Sequence, residues 1–150
     1  MYAAEKTNHV LAMDIDDIAL ENTLINARYH NVDNKISVRQ SDLFNALEPD
    51  EKFDVIISSI PYAWNEGTQG NWKLQERFFL DVGKHLNPNG RIYFLTGLLD
   101  NLPRTRKLIE ENGLKIMRTH MAYDIHQNLE PIVYVIQHTP AAPMNDTTVN

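Results

Sequence analysis

Cysteine is absent from the 150 residues of this sequence, and glycine is scarce, with six residues of which the first is Gly67. The absence of cysteine excludes a disulfide framework, a thiolate zinc site and a cysteine nucleophile, as is typical of proteins in a reducing compartment. No apolar run approaches the roughly 20 residues that a membrane helix needs, and no signal-peptide pattern opens the chain. We therefore expect a cytoplasmic protein without membrane attachment.

Positive charge is also scarce, because 14 Lys and Arg residues stand against 20 Asp and Glu residues, giving a formal net charge of −6. Broad, nonspecific binding to nucleic acid is therefore not expected. Hydrophobic residues make up 43% of the chain, which is enough for one domain with its own core. We expect that domain over residues 1–138, followed by a flexible C-terminal tail over 139–150.

The segment 53–62, with the sequence Phe-Asp-Val-Ile-Ile-Ser-Ser-Ile-Pro-Tyr, is predicted to be a strand that leads into a functional site. The β-branched run at 55–57 favours a strand covered on both faces, and Pro61 would end it because proline has no N–H for the sheet. Ligands of open α/β sheets bind beyond the carboxyl ends of the strands, where Ser59, Pro61 and Tyr62 would lie. An ordinary strand and turn explains this stretch, taken alone, about equally well.

Two earlier predicted strands are each followed by a carboxylate. The strand over 9–13 ends at Asp14, and the strand over 35–40 is followed by Asp42, although an Asp in such a place is more often only a helix cap. Asp17 is predicted to cap a helix that ends near residue 30. Apolar spacing predicts the remaining elements: helices over 72–86 and 102–112, and strands over 91–96, 114–121 and 131–138. This order predicts a doubly wound α/β fold whose last two strands pair in an antiparallel hairpin. We expect Asp14, Asp42 and Ser59 to line one edge of the sheet.

These motifs, in this order, resemble the class I S-adenosylmethionine-dependent methyltransferases over about residues 9–138, particularly the small-domain branch with glutamine and ribosomal-RNA guanine N-methyltransferases. The segment Val-Leu-Ala-Met-Asp-Ile-Asp looks like the family's second motif, which implies that Asp14 binds the ribose hydroxyls and that Ile15 packs on adenine. The segment Gln-Ser-Asp-Leu-Phe looks like the third motif, which implies cofactor binding by Asp42 and Leu43. The resemblance therefore implies a Rossmann-like sheet and S-adenosylmethionine as the cofactor.

The segment 53–62 resembles the family's fourth motif, Asn-Pro-Pro-Tyr, and this implies that Ser59, Pro61 and Tyr62 are catalytic residues that orient the methyl acceptor. Ser59 stands where the family has Asn or Asp, and Ile60 replaces the first proline. A serine hydroxyl accepts a hydrogen bond but does not offer the paired geometry of an amide. The implied reaction is methyl transfer to an amino group of a protein side chain, a nucleobase in RNA or a small molecule.

The family's first motif, a strand with a glycine-rich turn, has no counterpart before Asp14. We therefore expect an N-terminally truncated sheet that lacks its first strand, and weak or undetectable binding of S-adenosylmethionine by these 150 residues. An oligomer is expected if another chain covers the exposed centre of the sheet. The alternative function is that of a catalytically inactive, methyltransferase-derived fragment that acts as an interaction module.

Two other protein classes begin similarly but differ further along the chain. A phosphoacceptor receiver domain also has an acidic cluster after its first strand, but Ser58 and Ser59 occupy the place of its acceptor carboxylate. A calcium-binding loop beginning at Asp14 would need glycine where Ala19 stands. The six histidines form no closely spaced pair, so no metal site is expected.

Overall fold

The computed structural model describes residues 2–60, 69–97, 102–121 and 131–140. The chain divides into two compact units, Met1–Pro49 and Asp50–Asn150. The predicted division into a domain over 1–138 and a tail over 139–150 stays a prediction, and most of that tail lies outside the described residues. In the part of the chain that the structure describes, every helix is too short or too polar to cross a membrane.

The first unit alternates helices with two parallel strands. Its elements are α1 (Tyr2–Lys6), β1 (Val10–Asp14), α2 (Asp17–Tyr29), a 3₁₀ turn (Asp33–Lys35) and β2 (Ile36–Gln40). Val10 lies opposite Ile36, and Asp14 lies opposite Gln40. Both strands run in the same direction, so both carboxyl ends lie at one edge of this two-stranded sheet.

Asp16, and not the predicted Asp17, is the N-cap of α2. Its backbone is extended, and its Oδ1 accepts a hydrogen bond from the Ile18 N–H at 2.9 Å, while Asp17 is the first helical residue. The prediction was wrong by one residue because adjacent aspartates are both good caps by type. Only the backbone conformation decides which carboxylate reaches the exposed N–H groups of the first turn.

The buried cluster of the first unit is built from small side chains. Ala4, Ala27, Val32 and Ile36 are buried together, with Val10 and Val38 packed partly buried against them. Lys35 also joins α1 to the 3₁₀ turn, because its Nζ donates to the Ala4 carbonyl at 3.1 Å. The first unit thus contains a small apolar cluster and a hydrogen bond that joins Lys35 to α1.

The second unit is a four-stranded sheet with helices. Its elements are β3 (Phe53–Ser58), α3 (Gln69–Val82), a 3₁₀ turn (Gly83–His85), β4 (Leu86–Gly97), α4 (Leu102–Glu111), β5 (Leu114–Met121) and β6 (Pro131–His138). The strand order is β3-β4-β6-β5. β3 and β4 are parallel, whereas β6 is antiparallel to both β4 and β5, which confirms the predicted hairpin.

The segment 87–90, which lies between the predicted helix over 72–86 and the predicted strand over 91–96, is a bulge inside a longer strand. Leu86 pairs with Phe53, and Arg91 pairs with Val55, so the chain leaves the sheet between these pairs and then rejoins it. Gly90 makes this path feasible, because a Cβ there would lie only 2.7 Å from Leu86 Cδ1. The predicted strand over 91–96 was therefore too short at its start.

Aromatic side chains form much of the core of the second unit. Phe94 on β4 contacts Phe78 and Phe79 of α3, with ring centroids 5.6 and 4.9 Å apart. The Tyr134 ring on β6 is fully buried, and its hydroxyl accepts a hydrogen bond from Arg106 Nε at 3.5 Å. That hydrogen bond raises the pKa of Arg106 above its usual value. The buried tyrosine hydroxyl is thus satisfied.

The prediction that β3 is covered on both faces was wrong. Val55 and Ile57 are 49% and 68% exposed, whereas Ile56, between them, points to the opposite face and is more buried. β3 is an edge strand of its sheet. β-branched residues favour extended backbone on any strand, so the run at 55–57 indicated a strand without indicating what covers it.

Candidate functional site

Two carboxylates lie at the carboxyl edge of the sheet in the first unit. Asp14 is the last residue of β1, and Asp42 follows the end of β2 by two residues. The Ser41 N–H donates to the Asp14 carbonyl at 2.9 Å, which continues the pairing of the two strands by one residue. The structure therefore brings Asp14 and Asp42 to the same sheet edge, as the sequence predicted, while their roles stay predictions.

The Asp14 carboxylate is oriented by the backbone that follows it. Its Oδ1 accepts the Asp16 N–H at 3.0 Å, and within the described residues its Oδ2 has no partner. Ile15, the next residue, is 65% exposed, and its carbonyl accepts a hydrogen bond from Gln40 Nε2 at 3.0 Å. The Asp14 carboxylate, a hydrogen-bond acceptor oriented by the Asp16 N–H, is thus followed directly by the exposed apolar side chain of Ile15.

The Asp42–Leu43 loop has an unusual conformation that a serine supports. Leu43 has φ of 53°, a left-handed conformation that costs a non-glycine residue about 1–3 kcal/mol. The Ser41 hydroxyl donates to the Leu43 carbonyl at 2.8 Å and accepts the Ala46 N–H at 3.1 Å. Such conformations cluster at functional sites. Sequence reasoning missed Ser41, although Ser followed by Asp is a known turn signal.

In the second unit, the end of β3 presents a serine hydroxyl. Ser59 follows the last strand residue, Ser58, and is exposed. Its hydroxyl makes no hydrogen bond with any part of the chain that the structure describes. The two other predicted catalytic residues, Pro61 and Tyr62, lie outside the described residues. The role of all three in catalysis therefore stays a prediction.

The edge of the first sheet offers oxygen acceptors rather than a metal site. Asp14, Gln40 and Asp42 all carry side-chain oxygens there. Within the described ranges, His, Asp and Glu residues form no group of three or more that could hold a metal ion. A ligand that fits this edge must bring its own donors, such as hydroxyl or amino groups, together with a flat apolar surface for Ile15.

A family model described as UPF0020, RMKL-like methyltransferase domain, matches residues 2–127. The chain is 33% identical over 109 residues to the ribosomal protein L11 methyltransferase of Lactobacillus johnsonii, covering 73% of this chain and 30% of that protein. It is 29% identical over 119 residues to the ribosomal protein uL3 glutamine methyltransferase of Bradyrhizobium diazoefficiens, covering 67% and 35% respectively. The chain thus spans about a third of the length of these curated relatives.

A solved structure supports the same comparison. The ribosomal protein L11 methylase of Lactobacillus delbrueckii subsp. bulgaricus superposes with a TM-score of 0.70 at 22% sequence identity. The superposition covers 89% of this chain and 60% of that protein's chain. A likeness of this extent, at so low an identity, is a likeness of fold.

Proposed function

The chain belongs to the UPF0020 family of RMKL-like methyltransferase domains, and we propose that the protein transfers a methyl group from S-adenosylmethionine to a nitrogen of a protein side chain. The fold is of the Rossmann-like methyltransferase type, which confirms the predicted α/β class. The observation that best supports the proposal is the pair Asp14 and Asp42 at the shared carboxyl edge of β1 and β2. This edge is where open α/β sheets bind nucleotides.

The acceptor groups of this edge fit the adenosine part of the proposed cofactor. Asp14 binds the cofactor at its ribose hydroxyl groups, and the exposed Ile15 side chain packs on the adenine ring. Asp42 accepts from the adenine amino group, and Leu43 lines the same pocket. When bound, S-adenosylmethionine supplies an electrophilic methyl group, so the work of the protein is to hold and align the two reactants.

Ser59 is the proposed contact for the acceptor nitrogen. Its hydroxyl accepts a hydrogen bond from one N–H of the acceptor, which leaves the nitrogen lone pair to face the methyl group. Exposure of Ser59 beyond the end of β3, with no partner among the described residues, supports this role. Pro61 and Tyr62 are proposed from the sequence motif to form the wall beside it.

The proposed acceptor is a ribosomal protein. Two curated relatives are named for methylation of ribosomal proteins L11 and uL3, and the latter is a glutamine methyltransferase. An acidic chain with net charge −6 is a poor general binder of RNA, which favours a protein acceptor over a nucleobase. A ribosomal acceptor also places the proposed reaction in the cytoplasm.

The cofactor assignment is tested by Asp14→Asn and Asp42→Asn in the 150-residue chain. The first change keeps a side-chain oxygen for the Asp16 N–H, so the loop should keep its shape while the charge is lost. Each charged hydrogen bond is worth about 1.5–3 kcal/mol, so each change should weaken adenosine binding about 10- to 100-fold in an NMR titration. Asp33→Asn, an exposed aspartate of the same unit, is the matched control and should bind like the original chain. Equal affinity of all three variants would contradict the assignment.

Methyl transfer is tested with tritiated S-adenosylmethionine, unmethylated L11 and uL3, and ribosomal RNA. Label in protein is expected, and Ser59→Ala should lower the rate while Ser59→Asn, which restores the family's usual residue, should keep or raise it. Label in ribosomal RNA would redirect the proposal to a nucleobase. Cofactor binding without label in any acceptor would favour the inactive interaction module instead.

A further inference from the structure

Gln40 places a side-chain amide beside the Asp14 carboxylate. It is the last residue of β2 and the register partner of Asp14 on β1. Side chains of register partners on neighbouring strands lie on the same face of the sheet. Gln40 is exposed, and among the described residues its side chain makes one hydrogen bond, from Nε2 to the Ile15 carbonyl at 3.0 Å.

This hydrogen bond fixes which way the Gln40 amide points. A carbonyl oxygen accepts only, so the group that faces Ile15 must be the NH₂, and the Gln40 Oε1 must point away from it. Among the described residues, no group donates to that Oε1. Gln40 therefore presents an oriented and available acceptor at the edge of the sheet.

Because one oxygen of Asp14 is already hydrogen-bonded, a second acceptor would help to bind the two ribose hydroxyl groups. One carboxylate oxygen of Asp14 already accepts the Asp16 N–H at 3.0 Å, which leaves Oδ2 as its better available oxygen. A ribose carries two vicinal hydroxyl groups, and each of them needs an acceptor when it leaves water. Asp14 Oδ2 and Gln40 Oε1 make a matching pair of acceptors.

We propose that Gln40 is a specificity-determining residue whose Oε1 accepts a hydrogen bond from one ribose hydroxyl of the cofactor, while Asp14 binds the other. This rests on the proposed function, since it uses the assignment of Asp14 to the ribose. Gln40 also donates a hydrogen bond to the Ile15 carbonyl. Gln40 would therefore both bind the ribose and position Ile15, which packs on the adenine. The site therefore discriminates ribose from deoxyribose at two separate groups.

The test compares adenosine with 2′-deoxyadenosine and 3′-deoxyadenosine in NMR titrations of the isotope-labelled 150-residue chain. The original chain should bind adenosine more tightly than both analogues. The smaller of the two preferences should be about 3- to 10-fold, as expected for one neutral hydrogen bond, and the larger should belong to the charged Asp14. Affinities near the millimolar range are expected, because so few hydrogen bonds must also offset the cost of association.

Gln40→Met removes both polar groups at nearly constant length, and it should abolish the smaller preference while leaving the larger one intact. Gln40→Glu keeps an acceptor oxygen and should retain both preferences, although its loss of the Ile15 hydrogen bond should lower the affinity for all three nucleosides. Gln137→Met, at the end of β6 in the second unit, is the control and should change neither preference. An unchanged spectrum outside the β1 and β2 ends shows that each variant is folded.

The outcomes separate the two proposals. If Gln40→Met retains both preferences while Asp14→Asn loses one, the assignment of Gln40 is wrong and the cofactor site stands. If the original chain binds adenosine no better than either analogue, the ribose assignment of Asp14 fails and the assignment of Gln40 fails with it.

Discussion

The largest fully buried side chains of the described residues lie in the second unit. The cluster in Met1–Pro49 contains two alanines, Ala4 and Ala27, with Val32 and Ile36. In Asp50–Asn150 the fully buried side chains include the aromatic rings of Phe79, Phe94 and Tyr134. Aromatic residues bury far more area than alanine and contribute correspondingly more to stability.

The strand ends that carry the candidate site residues also differ in their side-chain hydrogen bonds. Around the ends of β1 and β2, Asp14, Gln40 and Ser41 form specific hydrogen bonds to neighbouring backbone groups. At the end of β3, Ser59 makes none with the described residues. The first unit thus combines a small apolar cluster with a hydrogen-bonded strand edge, where the cofactor site is proposed. The second unit combines larger buried side chains with the exposed residue Ser59.

The largest expected effect is that of Phe94→Ala in the aromatic core. Removal of a fully buried phenylalanine should lower the free energy of unfolding by about 3–5 kcal/mol. The measurement is urea denaturation followed by tryptophan fluorescence, since Trp72 is buried on α3. Leu80→Ala on the same helix is the control, because Leu80 is 60% exposed and should change stability by less than about 0.5 kcal/mol. Similar losses in both variants would contradict the assigned core.

A smaller effect is expected for Ile36→Ala in the first unit. Ile36 is 9% exposed, but its buried neighbours are small, so the cost should fall near the low end of the usual range, about 2 kcal/mol. Hydrogen exchange of the β1 amides measures it, with the 51%-exposed Ile25→Ala as control. A loss of stability as large as that of Phe94→Ala would show that the two cores do not differ in the way described.

The smallest effect concerns the two units' left-handed residues. Gly113 ends α4 with φ of +71°, and a Cβ there would meet nothing within 4 Å. Gly113→Ala should therefore cost only the backbone strain, about 1 kcal/mol. Gly83→Ala is the control, because its Cβ would make an ordinary contact 3.6 Å from His138 Cε1. Thermal unfolding that shows equal losses would exclude backbone strain as the cause.

Two described residues of the first unit are left-handed, Asn31 and Leu43. Asparagine tolerates this conformation by type, whereas the conformation of Leu43 must be held by contacts. Ser41→Ala would remove both hydrogen bonds that support Leu43. Gly113 of the second unit needs no such hydrogen bonds, because glycine adopts the left-handed conformation without strain.

Elements with strong local signals could be predicted from the sequence. The bounds of β5 and β6 match the structure at both ends, and Gly113 ends α4 as its type indicates. The bulge at 87–90 could not be predicted, because Asn, Pro and Gly mark a turn without telling whether the strand resumes its pairing beyond it. The prediction that β3 is covered on both faces failed for a similar reason, since the burial of a strand depends on neighbours that are distant in sequence.

The candidate site was predicted in part. An aspartate after each of two strands was enough to predict that Asp14 and Asp42 share an edge, because parallel strands end on the same side. Gln40 and Ser41 were not among the predicted site residues. The Gln40 bond to Ile15 joins residues that are distant in sequence and leaves no periodic signal, whereas the Ser41 bond to Leu43 is local, and only the turn-forming type of Ser41 indicated it.

Hydrogen bonds in series join the Asp14 carboxylate to the first turn of α2. Asp14 Oδ1 accepts the Asp16 N–H, and Asp16 Oδ1 in turn accepts the Ile18 N–H. A ligand that binds only when this turn is closed must make its opening less frequent, by thermodynamic linkage. Solvent exchange of the Ile18 amide proton therefore becomes a reporter of occupancy, and it should slow as adenosine is added.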